Sequence, residues 1–77
     1  MEKVLKDFSP GETGVVLKIA NAGKIKRRLY DMGVTPGAEI KLVKVAPLGD
    51  PLCVLLRGYE LSVRKDEAAE VVMEVKK

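Results

Sequence analysis

A single cysteine, Cys53, in a chain of 77 residues leaves no disulfide to hold a fold together. A chain this short lies near the lower edge of what folds on its own core. Cohesion must therefore come from side-chain burial. Apolar residues make up 47% of the sequence, and Phe8, Tyr30 and Tyr59 are its only aromatics, so that core is aliphatic. The length predicts one domain, residues 1–77. A lone cysteine suits a reducing compartment. The longest apolar runs, such as Leu52 to Leu56, fall far short of the roughly 20 residues of a membrane span, and Met1-Glu2-Lys3-Val4 lacks the apolar core of a signal peptide. These features predict a cytoplasmic protein with no direct membrane insertion. The net charge of +3, with acidic residues interspersed, is solubility chemistry and not a nucleic-acid footprint in itself.

Two turn signals punctuate the chain. Ser9-Pro10-Gly11-Glu12 and Thr35-Pro36-Gly37-Ala38 both place Pro-Gly at the centre of a turn. Proline presets φ at the second position and glycine accepts a positive φ at the third, the type II recipe. Each turn feeds a β-rich run, about Gly14 to Ile19 and about Glu39 to Ala46. In the second, Ile40 and Leu42 share one face while Val43 and Val45 share the other. That phase slip predicts a bulge or strong bend near Leu42-Val43.

Between these runs the spacing predicts a helix over about Ala22 to Met32. Ala22, Ile25, Leu29 and Met32 fall at i, i+3, i+7 and i+10 and form one apolar stripe. Asn21 is placed as N-cap, Arg27 is placed to pair with Asp31, and Gly33 suits the left-handed position past the C-terminus. After Ala46, Pro47-Leu48-Gly49-Asp50-Pro51 reads as a stiff, kinked turn. Pro51 opens a strand to Arg57, and Gly58 allows a tight hairpin into Tyr59 to Arg64. Lys65 to Ala69 reads as one helical turn capped by Asp66, and Val71 to Val75 as a last strand. The pattern predicts a mainly β fold: a small SH3-like five-stranded barrel, one α-helix between strands 1 and 2, and a short helical turn before the last strand.

The chemistry inventory is sparse. There is no histidine to serve as a base, and no serine or cysteine sits in a nucleophile setting. An enzyme is therefore not expected. Zinc and ferrous sites draw on His and Cys clusters, so no metal site is expected and Cys53 reads as a small apolar strand residue. No Walker A sequence is present, and no cofactor is expected. The basic helix face, Lys24, Lys26, Arg27 and Arg28, invites a nucleic-acid reading. Single-strand binders on small barrels stack bases on aromatics, and two tyrosines are too few, so no nucleic acid is expected.

Three stretches carry a family likeness: Arg28-Leu29-Tyr30-Asp31-Met32-Gly33-Val34-Thr35-Pro36-Gly37, then Val45-Ala46-Pro47-Leu48-Gly49-Asp50-Pro51, then Arg57-Gly58-Tyr59-Glu60-Leu61-Ser62-Val63-Arg64-Lys65. In this order and spacing the chain, from about Leu5 to Val75, resembles the FeoA family of accessory proteins of bacterial ferrous iron uptake. The resemblance implies an SH3-like fold and a free-standing cytoplasmic protein that assists FeoB, the membrane iron transporter with a cytoplasmic GTPase domain. It also implies kinship with the SH3-like domain of diphtheria-toxin-repressor-type metalloregulators, without their DNA-binding domain. The chain departs from the family pattern on the outward face of its third strand, where Cys53 and Leu55 stand in place of polar residues, and at Val63, where the pattern favours leucine.

The expected function is thus a non-enzymatic regulator that docks on the cytoplasmic part of the FeoB-type transporter. The alternative is a nucleic-acid-associated small barrel or a metalloregulator-like SH3 module. The expected partner-binding residues are Pro47, Leu48, Gly49 and Asp50 of the stiff turn, with Arg28 and Tyr30 from the helix. Leu48 has two readings here: it contacts a partner, or it folds back and plugs the open end of the barrel. Cys53 and Leu55 are the expected self-association residues, and a homo-oligomer is the corresponding partner expectation.

Overall fold

Both Pro-Gly tetrapeptides close as their turn chemistry predicts. In the computed structural model, which describes residues 1–20 and 23–76, the Glu12 N–H donates to the Ser9 carbonyl at 3.0 Å and the Ala38 N–H to the Thr35 carbonyl at 3.0 Å. Gly11 and Gly37 take φ of 95° and 92°. Each turn leads into a strand: β2 is Thr13–Ile19 and β3 is Glu39–Val45. They pair antiparallel, Thr13 opposite Lys41 and Val15 opposite Glu39. Strands β4, Leu52–Leu56, and β5, Tyr59–Val63, form a hairpin whose two turn residues, Arg57 and Gly58, both have positive φ, 51° and 86°. That backbone twist matches the twist of paired strands.

The register between β3 and β4 shifts between Leu42 and Lys44. This is the bulge that the Leu42-Val43 phase slip predicts, and it lets Ile40 and Leu42 stay buried while Val45 emerges half-exposed. A second shift in the pairing of β2 with β6, Val71–Lys76, falls between Val16 and Lys18, and Leu17 is exposed there.

The fold is mainly β, as expected, with six strands among the described residues where five are predicted. The additional strand, β1, is Glu2–Val4, followed by a 3-10 turn at Leu5–Asp7. It pairs with β6 at the far end of the chain, Lys3 opposite Met73, so no local pattern announces it. The sheet order is β1-β6-β2-β3-β4-β5. One core gathers the inward residues of every long strand, including Val16, Ile40, Leu42, Val54, Leu56 and Met73, all at 1% exposure or less. Gly14 belongs to this packing. A Cβ there would lie 2.8 Å from a Phe8 ring carbon and 2.8 Å from the Glu74 carbonyl oxygen, so only glycine lets that ring lie on the strand.

Helix α1 is Lys24–Asp31. It is shorter than the expected Ala22 to Met32, and the expected N-cap Asn21 and the stripe residue Ala22 lie outside the described residues. Leu29 is fully buried, while Ile25 and Met32 pack against the core from its margin. The helix ends in a Schellman motif: the Val34 N–H donates to the Leu29 carbonyl at 2.9 Å and the Gly33 N–H to the Tyr30 carbonyl at 3.0 Å. Gly33 has φ 96°, and Val34 and Leu29 are both buried, the hydrophobic contact that accompanies this cap. Arg27 does not pair with Asp31; the acid that anchors this helix lies elsewhere.

Helix α2 is Lys65–Ala68. Asp66 lies inside it and is not its cap. Arg64 holds the N-cap position, and the Glu67 carboxylate reaches back to accept the Arg64 N–H at 3.0 Å. Among the described residues no helix is long and apolar enough to cross a membrane.

Candidate functional site: a proline turn and a basic helix anchored on α2

The Pro47–Pro51 turn reverses at Pro47 and Leu48, two residues before its Gly49-Asp50 pair. The Gly49 N–H donates to the Ala46 carbonyl at 2.7 Å, so Pro47 and Leu48 are the central residues and Gly49 follows with φ 86°. Proline suits the second position of such a turn. The base is closed by the Ala46 N–H donating to the Pro51 carbonyl at 3.1 Å. The Asp50–Pro51 peptide bond is cis.

This geometry decides between the two readings of Leu48. Its side chain is 94% exposed. It covers no part of the barrel end, so the plug reading fails. A leucine held in water forgoes about 1.5–3 kcal/mol of burial.

Asp50 has a structural task. Its Oδ1 accepts the Lys65 N–H at 2.9 Å, which fastens the turn to the N-terminus of α2. Arg28 is fastened to the same short helix: its Nε forms an ion pair with Glu67 Oε2 at 3.1 Å. Glu67 is the one buried charged residue among those described, with its side chain 5% exposed, while Arg28 remains 57% exposed. Sequence reasoning missed Glu67, although an acid three residues beyond an N-cap is the capping-box signal. α2 thus joins two segments expected to meet a partner, the turn through Lys65 and α1 through Glu67.

Tyr30 stands exposed on α1, with Lys26 Nζ 5.7 Å from its ring centroid. Cys53 and Leu55 lie on the outward face of β4, as expected. Cys53 is half-buried, with Sγ 3.7 Å from Glu60 Oε1, and Leu55 is 36% exposed. The surroundings of Leu55 are polar. It sits between Lys41 and Glu60 in the sheet and borders a shallow groove with Thr13, Glu39, Arg57 and Gly58. Among the described residues no three of His, Cys, Asp or Glu converge on a point that could hold a metal ion.

The FeoA domain matches residues 3–75 of this sequence. The chain belongs to the FeoA family. It is 30% identical over 71 residues to the Fe(2+) transport protein A/Fe(2+) transporter FeoB fusion protein of Porphyromonas gingivalis, covering 92% of this chain and 8% of that protein. In that relative a FeoA-like stretch and the FeoB transporter form one polypeptide, of which the present chain spans a small fraction. Among solved structures, the FeoA-like protein of Clostridium acetobutylicum superimposes with a TM-score of 0.92 at 37% identity, over 99% of this chain and 88% of that one. The FeoA of Stenotrophomonas maltophilia, described as a prokaryotic SH3 domain protein and solved with zinc, superimposes with a TM-score of 0.80 at 28% identity, over 94% of this chain and 89% of that one. The SH3-like fold and the link of the FeoA domain to ferrous iron transport follow from these matches.

Proposed function

We propose that this chain is a non-enzymatic accessory protein of ferrous iron uptake that works in the cytoplasm by docking on the cytoplasmic part of a FeoB-type GTPase transporter. Leu48 carries the reading. It is nine-tenths exposed at the tip of a turn pinned at both ends. A rigid apolar knob loses little entropy on binding and gains the burial that it lacks in the free protein. Pro47 and Gly49 shape the tip, Asp50 holds it to α2, and Arg28 and Tyr30 supply polar contacts from α1. The fusion of FeoA to FeoB in a relative supports a partner of this kind, because a shared polypeptide keeps the two at high local concentration.

Leu48→Asp tests the proposal. The thermal midpoint should stay within about 2 °C of wild type, since an exposed residue carries little folding energy. Capture by transporter-containing membranes and support of iron uptake should both be lost. A stable variant that still binds the transporter normally refutes the docking role of Leu48.

A further inference from the structure

The formal net charge of the whole chain is +3, from 14 basic and 11 acidic residues. Helix α1 alone holds Lys24, Lys26, Arg27 and Arg28 against Asp31, which is also a net of three positive charges. The rest of the sequence is balanced, with ten basic and ten acidic residues. All of the net charge therefore resides on one eight-residue helix. Only Arg28 among its cations has an ion-pair partner in the described structure, Glu67. An open groove of about 520 Å³ runs along this face, lined by Gly23, Lys24, Lys26, Arg27, Tyr30 and Asp31.

We infer that this face of α1 is a docking site for an acidic protein segment. The inference deepens the docking reading above by giving the chemistry of the second contact. Three cations, Lys24, Lys26 and Arg27, outnumber the one acid, Asp31, in the groove lining and attract carboxylates, and Tyr30 under Lys26 gives the groove an aromatic wall against which a neighbouring side chain can pack. The helix is held for this task. Arg28 ties it to Glu67 of α2, the element that also holds the turn of Leu48, so an apolar knob and a basic groove are presented from one support.

Two other anionic partners fit less well. A helix that lies in a membrane surface buries its apolar face among the acyl chains, and here that face is already spent on the core, with Leu29 at 0% exposure. A nucleic acid needs a basic track with stacking aromatics. α1 is only about 12 Å long at about 1.5 Å per residue and carries one tyrosine, and the rest of the sequence adds no net positive charge to extend it.

The test is a nitrogen-15 amide titration of the full chain with three probes. They are a capped pentapeptide of four glutamates around a tryptophan, vesicles containing one-third anionic phospholipid, and a short oligothymidylate. The peptide should shift amides from Gly23 to Asp31. Lys24→Glu combined with Arg27→Glu should weaken the binding about tenfold or more, and salt at about 0.5 M should abolish it. Lys24→Gln with Arg27→Gln, a milder change, should weaken it less. Peptide binding that ignores these substitutions, or helix amides that move with vesicles or oligonucleotide and not with peptide, overturns the inference. The two readings also separate. If Leu48→Asp abolishes capture by transporter membranes while the charge-reversed helix is captured normally, docking stands and the acidic-segment site on the transporter falls. If wild type is not captured but the peptide shifts persist and respond to charge reversal, docking falls and the acidic-segment site stands.

Discussion

Arg28→Ala should destabilise this fold although Arg28 is more than half exposed. The substitution leaves Glu67, whose side chain is 5% exposed, with the Arg64 N–H as the remaining donor to its carboxylate. Removing one partner of a fully buried ion pair costs about 3–5 kcal/mol. Here water can follow the missing guanidinium, so the cost falls to between that of a buried and that of an exposed ion pair, about 1–2 kcal/mol. A small offset opposes it. Lys24 lies one turn before Arg28, and relief of that like-charge pair returns about 0.2–0.5 kcal/mol. The net cost is about 0.5–1.8 kcal/mol, and in a domain of this size each kilocalorie moves the melting point by about 4–8 °C, so a drop of about 2–14 °C is expected. The assay is thermal unfolding by circular dichroism, run as a double-mutant cycle with Glu67→Gln, whose amide oxygen keeps the Arg64 N–H bond. The Lys24 term cancels in the cycle, and a coupling energy of about 1 kcal/mol should remain. Additive single effects, within about 0.3 kcal/mol, refute the claim that Arg28 and Glu67 stabilise each other.

Leu29→Ala should cost about 2–5 kcal/mol, because Leu29 is wholly buried where α1 meets the sheet. A melting point within a degree or two of wild type would contradict that burial. Glu12 should titrate below the ordinary glutamate range, because Lys3 Nζ lies 2.8 Å from its Oε1 and the Ser9 N–H donates to the same oxygen at 2.7 Å. Folding lowers this pKa, so its stabilising contribution is present above the unfolded value and lost as the pH falls through the folded one. Carboxyl NMR should show the low midpoint, and Lys3→Met should raise it. The self-association expected of Cys53 and Leu55 is tested by sedimentation: if wild type forms a concentration-dependent oligomer, Leu55→Glu should convert it to monomer, whereas a wild type that sediments as a monomer at high concentration removes Cys53 and Leu55 as an interface.

Local chemistry was legible in the sequence and distant pairing was not. Pro10-Gly11 and Pro36-Gly37 declare their turns because φ is set within the dipeptide. The slip from Leu42 to Val43 declares a bulge because strand periodicity is strictly two. Gly33 declares a helix end because few other residues take φ 96°. Glu2–Val4 declares nothing. It is three residues long, two of them charged, and it is a strand only because β6 lies beside it. At the candidate site, the sequence marks Leu48 as a leucine at a turn tip but leaves contact and plug open, and only its 94% exposure decides between them. The pairings of Arg28 with Glu67 and of Asp50 with the Lys65 N–H join residues far apart in the chain, and no spacing rule links them.

The four residues of α2 could not hold a helix by themselves, because nucleation in water is unfavourable and a single turn gains almost nothing in return. Three carboxylates make this turn possible. Asp50, Asp66 and Glu67 accept the N–H groups of Lys65, Glu67 and Arg64, all at the end where the helix dipole favours negative charge. Two of the three have a second effect. Asp50 brings the Leu48 turn with it, and Glu67 brings α1 through Arg28. The groups that stabilise α2 are therefore also the groups that position the surface assigned to a partner. This gives Leu48 and Arg28 different experimental signatures. Leu48 supports nothing, so its loss should affect binding alone. Arg28 both presents charge and neutralises Glu67, so binding lost in an Arg28 variant cannot be read as a lost contact until its stability has been measured beside it.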